Sequence, residues 1–330
     1  MKNIKSIFFI IAFSAISCSS DDSNQTLQEG TNTLLFETIV EFDPNFLEGV
    51  SMGMTNSVSE NSLYISSRND YPVEVGTNRE QIIKLNLVDL NIVETQYSNS
   101  DFITKRLFVM NNQLISVGGQ FVNTYKLDIV GNPTTESHQK TLSKFKIANE
   151  GDTTFIIGGD FTGNDSSKIY KWNPNEPQNY IEFTTLPEAR YGAGGVIANN
   201  NLYIFGGSTD NQLSNPSDKL YIIPLDSPNS IQELSMDIAI NETFVQKHNN
   251  NIYISGESND GNSIIRKFDT TTKTFEVIEH NLDDINTDYK IGQMSILNNN
   301  LYIVYGVVKY SNPPGTGINS EWSILSVELN

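Results

Sequence analysis

The sequence predicts an all-β repeat fold of six units, each of four antiparallel strands. Three observations carry this. Short alternating or β-branched runs recur along the chain, broken by Asn, Gly, Asp and Pro, and no long stretch repeats its apolar residues at helical spacing. A turn-and-strand block, clearest as Asn200-Asn201-Leu202-Tyr203-Ile204-Phe205-Gly206-Gly207, returns in blocks ending at Gly118-Gly119, Gly158-Gly159, Gly256-Glu257 and Tyr305-Gly306; a weaker one, Leu63-Tyr64-Ile65-Ser66, ends at Ser67-Arg68. Counted from the first residue of each closing pair, the spacings are 51, 40, 48, 50 and 49 residues, a period of supersecondary units stacked side by side.

The fourth unit shows how a unit is read. Gly192 to Ala198 is its first strand, Leu202 to Phe205 its second, Lys219 to Leu225 its third and Ile231 to Leu234 its fourth. Gly192, Ala193, Gly194 and Gly195 are small, as suits strands that converge near an axis. Asn199-Asn200-Asn201 makes the tight turn between the first two strands, and Asn249-Asn250-Asn251 and Asn298-Asn299-Asn300 repeat it, because Asn tolerates positive φ. The last unit has strands over Gly292 to Leu297, Leu301 to Val304 and Trp322 to Leu329, and lacks a fourth. An orphan strand, Leu34 to Phe42, alternates Leu35, Glu37, Ile39 and Glu41 at the other end. Pairing the two would complete the last unit and remove an open edge.

Leu186-Pro187-Glu188-Ala189-Arg190-Tyr191-Gly192-Ala193, then Leu202 to Gly207, then Lys219-Leu220-Tyr221, resembles a kelch repeat. Lys267-Phe268-Asp269 followed by Thr274-Phe275-Glu276 is similar to the kelch turn between third and fourth strands. The paired glycines are eroded in units one, five and six, and Phe275 stands where the family usually has a fourth-strand Trp. The resemblance implies a six-bladed kelch-like β-propeller over residues 33–330, with four antiparallel strands per blade, closed by the N-terminal strand. It also implies a ligand mouth on the face where the loops between strands two and three meet those between four and one.

The N-terminus reads as an address. Lys2 and Lys5 precede an apolar run, Ile7 to Ile16, too short to span a bilayer as a helix. The run ends Ser14-Ala15-Ile16-Ser17-Cys18, which resembles a bacterial lipobox, with Ser17 where the family usually has Gly or Ala. The resemblance implies a signal peptide over 1–17, lipidation at Cys18, and a flexible tether over 18–32. Ser19-Ser20-Asp21-Asp22 resembles the surface-export tag of Bacteroidetes lipoproteins, which implies an outer-membrane protein facing outward and a membrane contact through the Cys18 lipid.

Composition removes several function classes. Lys and Arg total 21 against 39 Asp and Glu, for a net charge of −18, which disfavours a nucleic-acid partner. One Cys and three His exclude a Cys-rich zinc site, a disulfide framework and a haem-attachment motif. The copper chemistry of galactose oxidase, a kelch relative, needs a Tyr cross-linked to Cys, and no Cys but Cys18 exists. The loops Asp160 to Asp165 and Asn259 to Asn262 are rich in oxygen ligands but match no EF-hand spacing and read as solvated hairpin turns. No metal and no cofactor is expected.

The mouth gathers the candidate ligand residues. Arg68, Tyr71 and Arg79 fall in a long loop, 67–80, and Lys309 and Tyr310 in another, 307–320. Unit two has almost no such loop. Arg106 and Arg190 open first strands at the same mouth, and Tyr191 and Tyr289 map to its rim. Four of the five Arg in the chain therefore share one face, suited to bidentate recognition of carboxylates, with Tyr to stack on a sugar ring or peptide. The same Arg could instead pair with Asp70, Glu80, Asp101 and Glu188. His138, His248 and His280 fall away from the mouth, so no His-dependent nucleophile relay is expected there.

These observations predict a non-catalytic recognition module for a glycan or protein at the cell surface. Replacing Arg68, Arg79 and Arg190 by Ala should then abolish binding and preserve the fold. The rival is an envelope sugar-modifying enzyme, similar to the sialic-acid mutarotases, which are also kelch propellers, with Glu188 and Arg190 as base and charge stabiliser. A third class is a component of a membrane nutrient-uptake assembly.

Overall fold

The computed structural model describes residues 33–329 apart from 43–50, 58–59, 70–78, 99–104, 112, 119–125, 130–134, 138–143, 160–165, 287 and 311–317. The structure described below is that of the compact unit Asn32–Asn330. The signal peptide, Cys18 and tether expected over 1–32 lie outside the described residues, as do Tyr71, His138, the Asp160 to Asp165 loop and the 119–125 connection of unit two. Among the described residues no helix is long and apolar enough to cross a membrane.

Among the described residues the strands pair into six four-stranded antiparallel sheets and one two-stranded parallel ribbon. The first strands of the six sheets are Ser51–Ser57, Lys105–Met110, Lys146–Glu150, Gly194–Ala198, Thr243–His248 and Lys290–Leu297. Each contacts the first strand of the next sheet, and Ser51–Ser57 also contacts Lys290–Leu297. This is a β-propeller with four-stranded antiparallel blades, in which the first strands surround the centre.

Second strands are apolar on both faces because both are covered. Leu202, Tyr203, Ile204 and Phe205 are all buried. Leu202 and Ile204 pack with Ile157 and Ile169 of the preceding sheet, while Tyr203 and Phe205 pack with Ile252, Ile254 and Phe268 of the following one. A strand buried on both sides loses the polar alternation of a half-exposed strand, which is why the repeat shows as continuous apolar blocks. The expected turns are present: Asn61, Asn111, Asn199, Asn200, Asn249, Asn298 and Asn299 all have positive φ.

The paired glycines are required by close approach. Gly158 has φ +57°, and a Cβ there would sit 1.8 Å from the backbone oxygen of Arg190, on the segment entering the next sheet. Gly151 has φ +56° with open space around the same position. Gly158→Ala is expected to lower stability by at least about 2 kcal/mol, from a disfavoured backbone plus overpacking. Gly151→Ala carries only the backbone component, so urea unfolding of both variants isolates the clash; equal losses would remove it.

Two expectations change. The single strand Leu34 to Phe42 is two strands: Thr33–Leu34 pairs in parallel with Glu279–His280, and Glu37–Glu41 pairs antiparallel with Ile318–Glu328. The break comes where Phe36 turns into the core, 3% exposed, and Asn281 takes over its backbone: Phe36 N–H donates to Asn281 Oδ1 at 2.8 Å, and Asn281 Nδ2 donates to the Phe36 oxygen at 3.1 Å. The long loops are also shorter than expected. Ser62–Asn69 and Arg79–Asn86 stay paired out to Asn69 opposite Arg79, and Asn300–Tyr310 and Ile318–Glu328 stay paired out to Tyr310 opposite Ile318. Arg68, Arg79, Lys309 and Tyr310 thus belong to ladders of two extended hairpins, because backbone pairing continues past the apolar blocks that mark each strand in the sequence.

Candidate ligand site

The first strands enclose a cavity of about 650 Å³, with lining residues from all six: among them Asn56, Arg106, Lys146, Gly195, Phe244 and Gln293. Small residues make room for it. Gly194 and Gly195 place no side chain where Val245 and Ile157 already stand. Much of the polar wall is committed to the protein. Asn56 Nδ2 donates to Ser295 Oγ and the Ile296 oxygen, Asn149 Nδ2 to the Val109 oxygen, and Gln246 Nε2 to the Met294 oxygen.

At one end a charged cluster forms where three first strands begin. Lys146 is the first residue of its strand, Arg106 the second of its strand, and Glu242 immediately precedes Thr243. Lys146 Nζ donates to Glu242 Oε1 at 2.8 Å, and Arg106 Nη2 lies 3.5 Å from the same oxygen. Arg106 Nε also donates to the Phe145 oxygen at 3.1 Å, and Lys146 Nζ sits 4.0 Å from the centre of the Phe244 ring. The Arg106 and Lys146 side chains are 12% and 8% exposed, and the Glu242 side chain is 43% exposed.

The titration of this cluster follows from its setting. Burial pulls the Lys146 ammonium down to about 8, against the attraction of Glu242 and with the repulsion of Arg106. Burial alone would raise the Glu242 carboxyl; Lys146 and then Arg106 outweigh it and hold the group at about 2. Arg106 and Lys146 thus bring two cations to one described carboxylate at this end of the cavity, in a chain of net charge −18. That is a setting for a monoanion with hydrogen-bonding groups.

Of the residues expected at the mouth, the structure places Arg106 in this cavity. Arg190 is elsewhere and fully buried. Its Nη2 donates to Glu188 Oε1 at 2.5 Å and to the Tyr221 hydroxyl at 3.1 Å, its Nη1 to the Ala189 oxygen at 3.1 Å, and its guanidinium stacks 5.1 Å from the Tyr221 ring centre. It therefore has no surface to offer a ligand, and the expectation that its removal would spare the fold is corrected: Arg190 is a core residue tying Glu188 to Tyr221. Tyr191 is half-buried and exchanges backbone hydrogen bonds with Ser208 at 2.8 Å. Tyr289, also half-buried, donates its hydroxyl to Glu321 Oε2 at 2.6 Å; burial, then that carboxylate, push it up to about 12. Arg68, Arg79, Lys309 and Tyr310 have described backbones on the two hairpins, and Tyr71 lies outside the described residues.

Sequence reasoning missed Lys146, Glu242 and Phe244. A signal was present: a cation at the entry of an apolar first strand, at the register position Arg106 holds in its own unit, opposite the residue just before the first paired glycine. The cluster lies at the centre, away from the long loops that carry most charged residues of the expected mouth. The Asn259 to Asn262 turn closes on itself, with the Ser258 N–H donating to the Asn262 oxygen at 3.0 Å, and among the described residues no group of three metal-ligating side chains occurs.

No protein family and no curated protein matches the chain. A solved structure titled "Structure of YjhT" matches 68% of this chain and 83% of its own length, with a TM-score of 0.52 and 12% sequence identity. At that identity the likeness is one of fold, and it supports the β-propeller reached from the strand pairing.

Proposed function

We propose that this chain is a lipid-anchored surface protein whose six sheets are the blades of one kelch-like propeller, closed by the strand Glu37–Glu41, and that its central cavity captures the anionic end of a glycan or peptide. The repeat and the pairing of Glu37–Glu41 with Ile318–Glu328 support the blade count and closure. The lipobox-like Ser14 to Cys18 and the acidic residues after it support the anchor. One observation supports the ligand reading: two buried cationic side chains, Arg106 and Lys146, line the central cavity side by side, within reach of one Glu242 oxygen. The hairpins bearing Arg68, Arg79, Lys309 and Tyr310, with Tyr71 between the first pair, would meet the rest of the ligand.

Calorimetric titration with a uronic acid and its neutral parent sugar tests the reading. The acid is expected to bind more tightly, and Arg106→Gln to weaken it about 10-fold to 100-fold, the range of a lost charged hydrogen bond. As pH rises through about 8, Lys146 loses its proton and its charge, so affinity for the acid falls while the neutral sugar is unaffected. Equal binding of both sugars by the parent protein and by Arg106→Gln would end the proposal.

A second reading is a sugar-modifying enzyme of the mutarotase type, supported by the adjacent Lys146 amine and Glu242 carboxylate, an acid and a base 2.8 Å apart. The Glu188 and Arg190 pair does not support it, since Arg190 is closed off by its own partners. Faster interconversion of sugar anomers, seen by NMR, would favour the enzyme.

A further inference from the structure

We infer that the central cavity is built for a polyhydroxylated acid, a hexuronate, whose hydroxyls are held by carboxamides on four of the six first strands. This rests on the cavity being an anion site and names the class of molecule that fills it. Asn56, Asn149, Gln246 and Gln293 all line the cavity. Three of them tie their NH2 groups to a neighbouring first strand: Asn56 to the Ile296 oxygen, Asn149 to the Val109 oxygen and Gln246 to the Met294 oxygen. A backbone oxygen only accepts, so each of these amides must turn its NH2 to the strand and keep its own oxygen for another donor. Among the described residues their side-chain hydrogen bonds run through nitrogen alone. Gln293 is the sharper sign. It is 8% exposed, lines the cavity, and its amide has no hydrogen-bond partner among the described residues, where a buried amide is normally paired. The strand is shaped to present it. Gly292 is an extra residue between the pairs Ile291–Tyr305 and Gln293–Val304, a bulge that re-aims the next side chain. A Cβ at Gly292 would come 3.1 Å from the Trp322 ring, so glycine lets the bulge sit there.

The chemistry selects the ligand. Three amide oxygens accept, and the Gln293 amide both donates and accepts, which matches hydroxyls, each a donor and an acceptor. A metal ion is disfavoured in a cavity that two cations, Arg106 and Lys146, also line. Gln293 pairs with Val304 and Lys146 with Ile157, each one residue before the closing pair, so the two stand at the same register on different sheets. Asn56 pairs with Leu63 and Asn149 with Thr154, each four residues before the closing pair, which is about 10 Å further along the strand. A sugar ring entering the cavity thus meets acceptors along its length, with Lys146 at one end.

Calorimetry on the full chain compares glucuronate with tetrahydropyran-2-carboxylate, which keeps the ring and the carboxylate and lacks the hydroxyls. Glucuronate is expected to bind about 10-fold more tightly or better, the value of one or two hydrogen bonds. Gln293→Met fills the same space without polar atoms. It is expected to weaken glucuronate about 10-fold, to leave the hydroxyl-free acid within about 2-fold, and to melt no lower than the parent, since it removes an unpaired buried amide. If that variant melts far lower, Gln293 is structural, and the two acids on the parent protein decide alone. If the two acids bind the parent alike, the carboxamide site is overturned and the anion site stands. If glucuronate and glucose bind alike and both weaken in Gln293→Met, the anion reading falls and the hydroxyl site stands. If none of the three binds, both fall.

Discussion

Glu188→Ala is expected to cost about 3 kcal/mol, more than Arg190→Met, although Glu188 is the more exposed of the two. Arg190 is fully buried and Glu188 is its carboxylate partner at 2.5 Å, with 42% of the Glu188 side chain open to solvent. Removing Glu188 strands a guanidinium with only the Tyr221 hydroxyl and the Ala189 oxygen as acceptors, and an uncompensated buried charge costs about 3–5 kcal/mol. The open side of Glu188 lets water reach the pair and places the effect at the lower end. Removing Arg190 instead leaves a carboxylate that solvent can reach, while Met refills much of the volume. The double variant is then expected to be no less stable than Glu188→Ala alone, because the stranded charge has gone too. Urea unfolding of the four proteins gives the cycle. A Glu188→Ala loss within about 0.5 kcal/mol, the range of ordinary surface changes, would show that water and Tyr221 satisfy the guanidinium unaided.

The same residue shows what the sequence can and cannot convey. The spacing of Leu202 to Gly207 and its relatives exposes the sheets, because a strand covered on both faces must be apolar throughout and a turn needing positive φ selects Asn or Gly. These are local demands, written where they act. Arg190 reads as a mouth residue for an equally local reason: it is charged, near a Tyr and at a strand entry. Its burial depends on Tyr221, 31 residues away, and on Gly158, which leaves room for its backbone. Lys146 and Glu242 are 96 residues apart and meet only because two first strands start at the same height around the centre. Long-range juxtaposition of that kind leaves no periodic trace. The overlong loops are a milder case, since the ladders run past Val307 and Val308 into polar residues that no apolar block marks.

Replacing both Phe36 and Phe42 by Ala is expected to unfold the protein. The two rings belong to the short N-terminal segment, yet they enter different parts of the core. Phe36 packs among Tyr253, Ile265, Ile278, Leu282 and Tyr305, and Phe42 among Met54, Leu63, Trp322 and Ile324. One ring thus joins the sheet begun by Lys290–Leu297 to the sheet before it, and the other joins it to the sheet begun by Ser51–Ser57. Each Phe→Ala change in a packed core costs about 3–5 kcal/mol, and changes in separate clusters nearly add, so the pair removes about 6–10 kcal/mol. That is the size of a typical domain's whole stability. The loss is expected to spread, since the Glu37–Glu41 strand covers the outer edge of Ile318–Glu328, and an uncovered edge invites pairing between chains. Thermal unfolding and size-exclusion chromatography should show each single variant melting earlier and the double variant aggregating. Leu35→Ala, whose parent side chain is 64% exposed between the same two strands, should change stability by no more than about 0.5 kcal/mol. A double variant that melts cooperatively within a few degrees of the parent would mean that the propeller holds together without this segment, and that the strand ornaments an already closed ring.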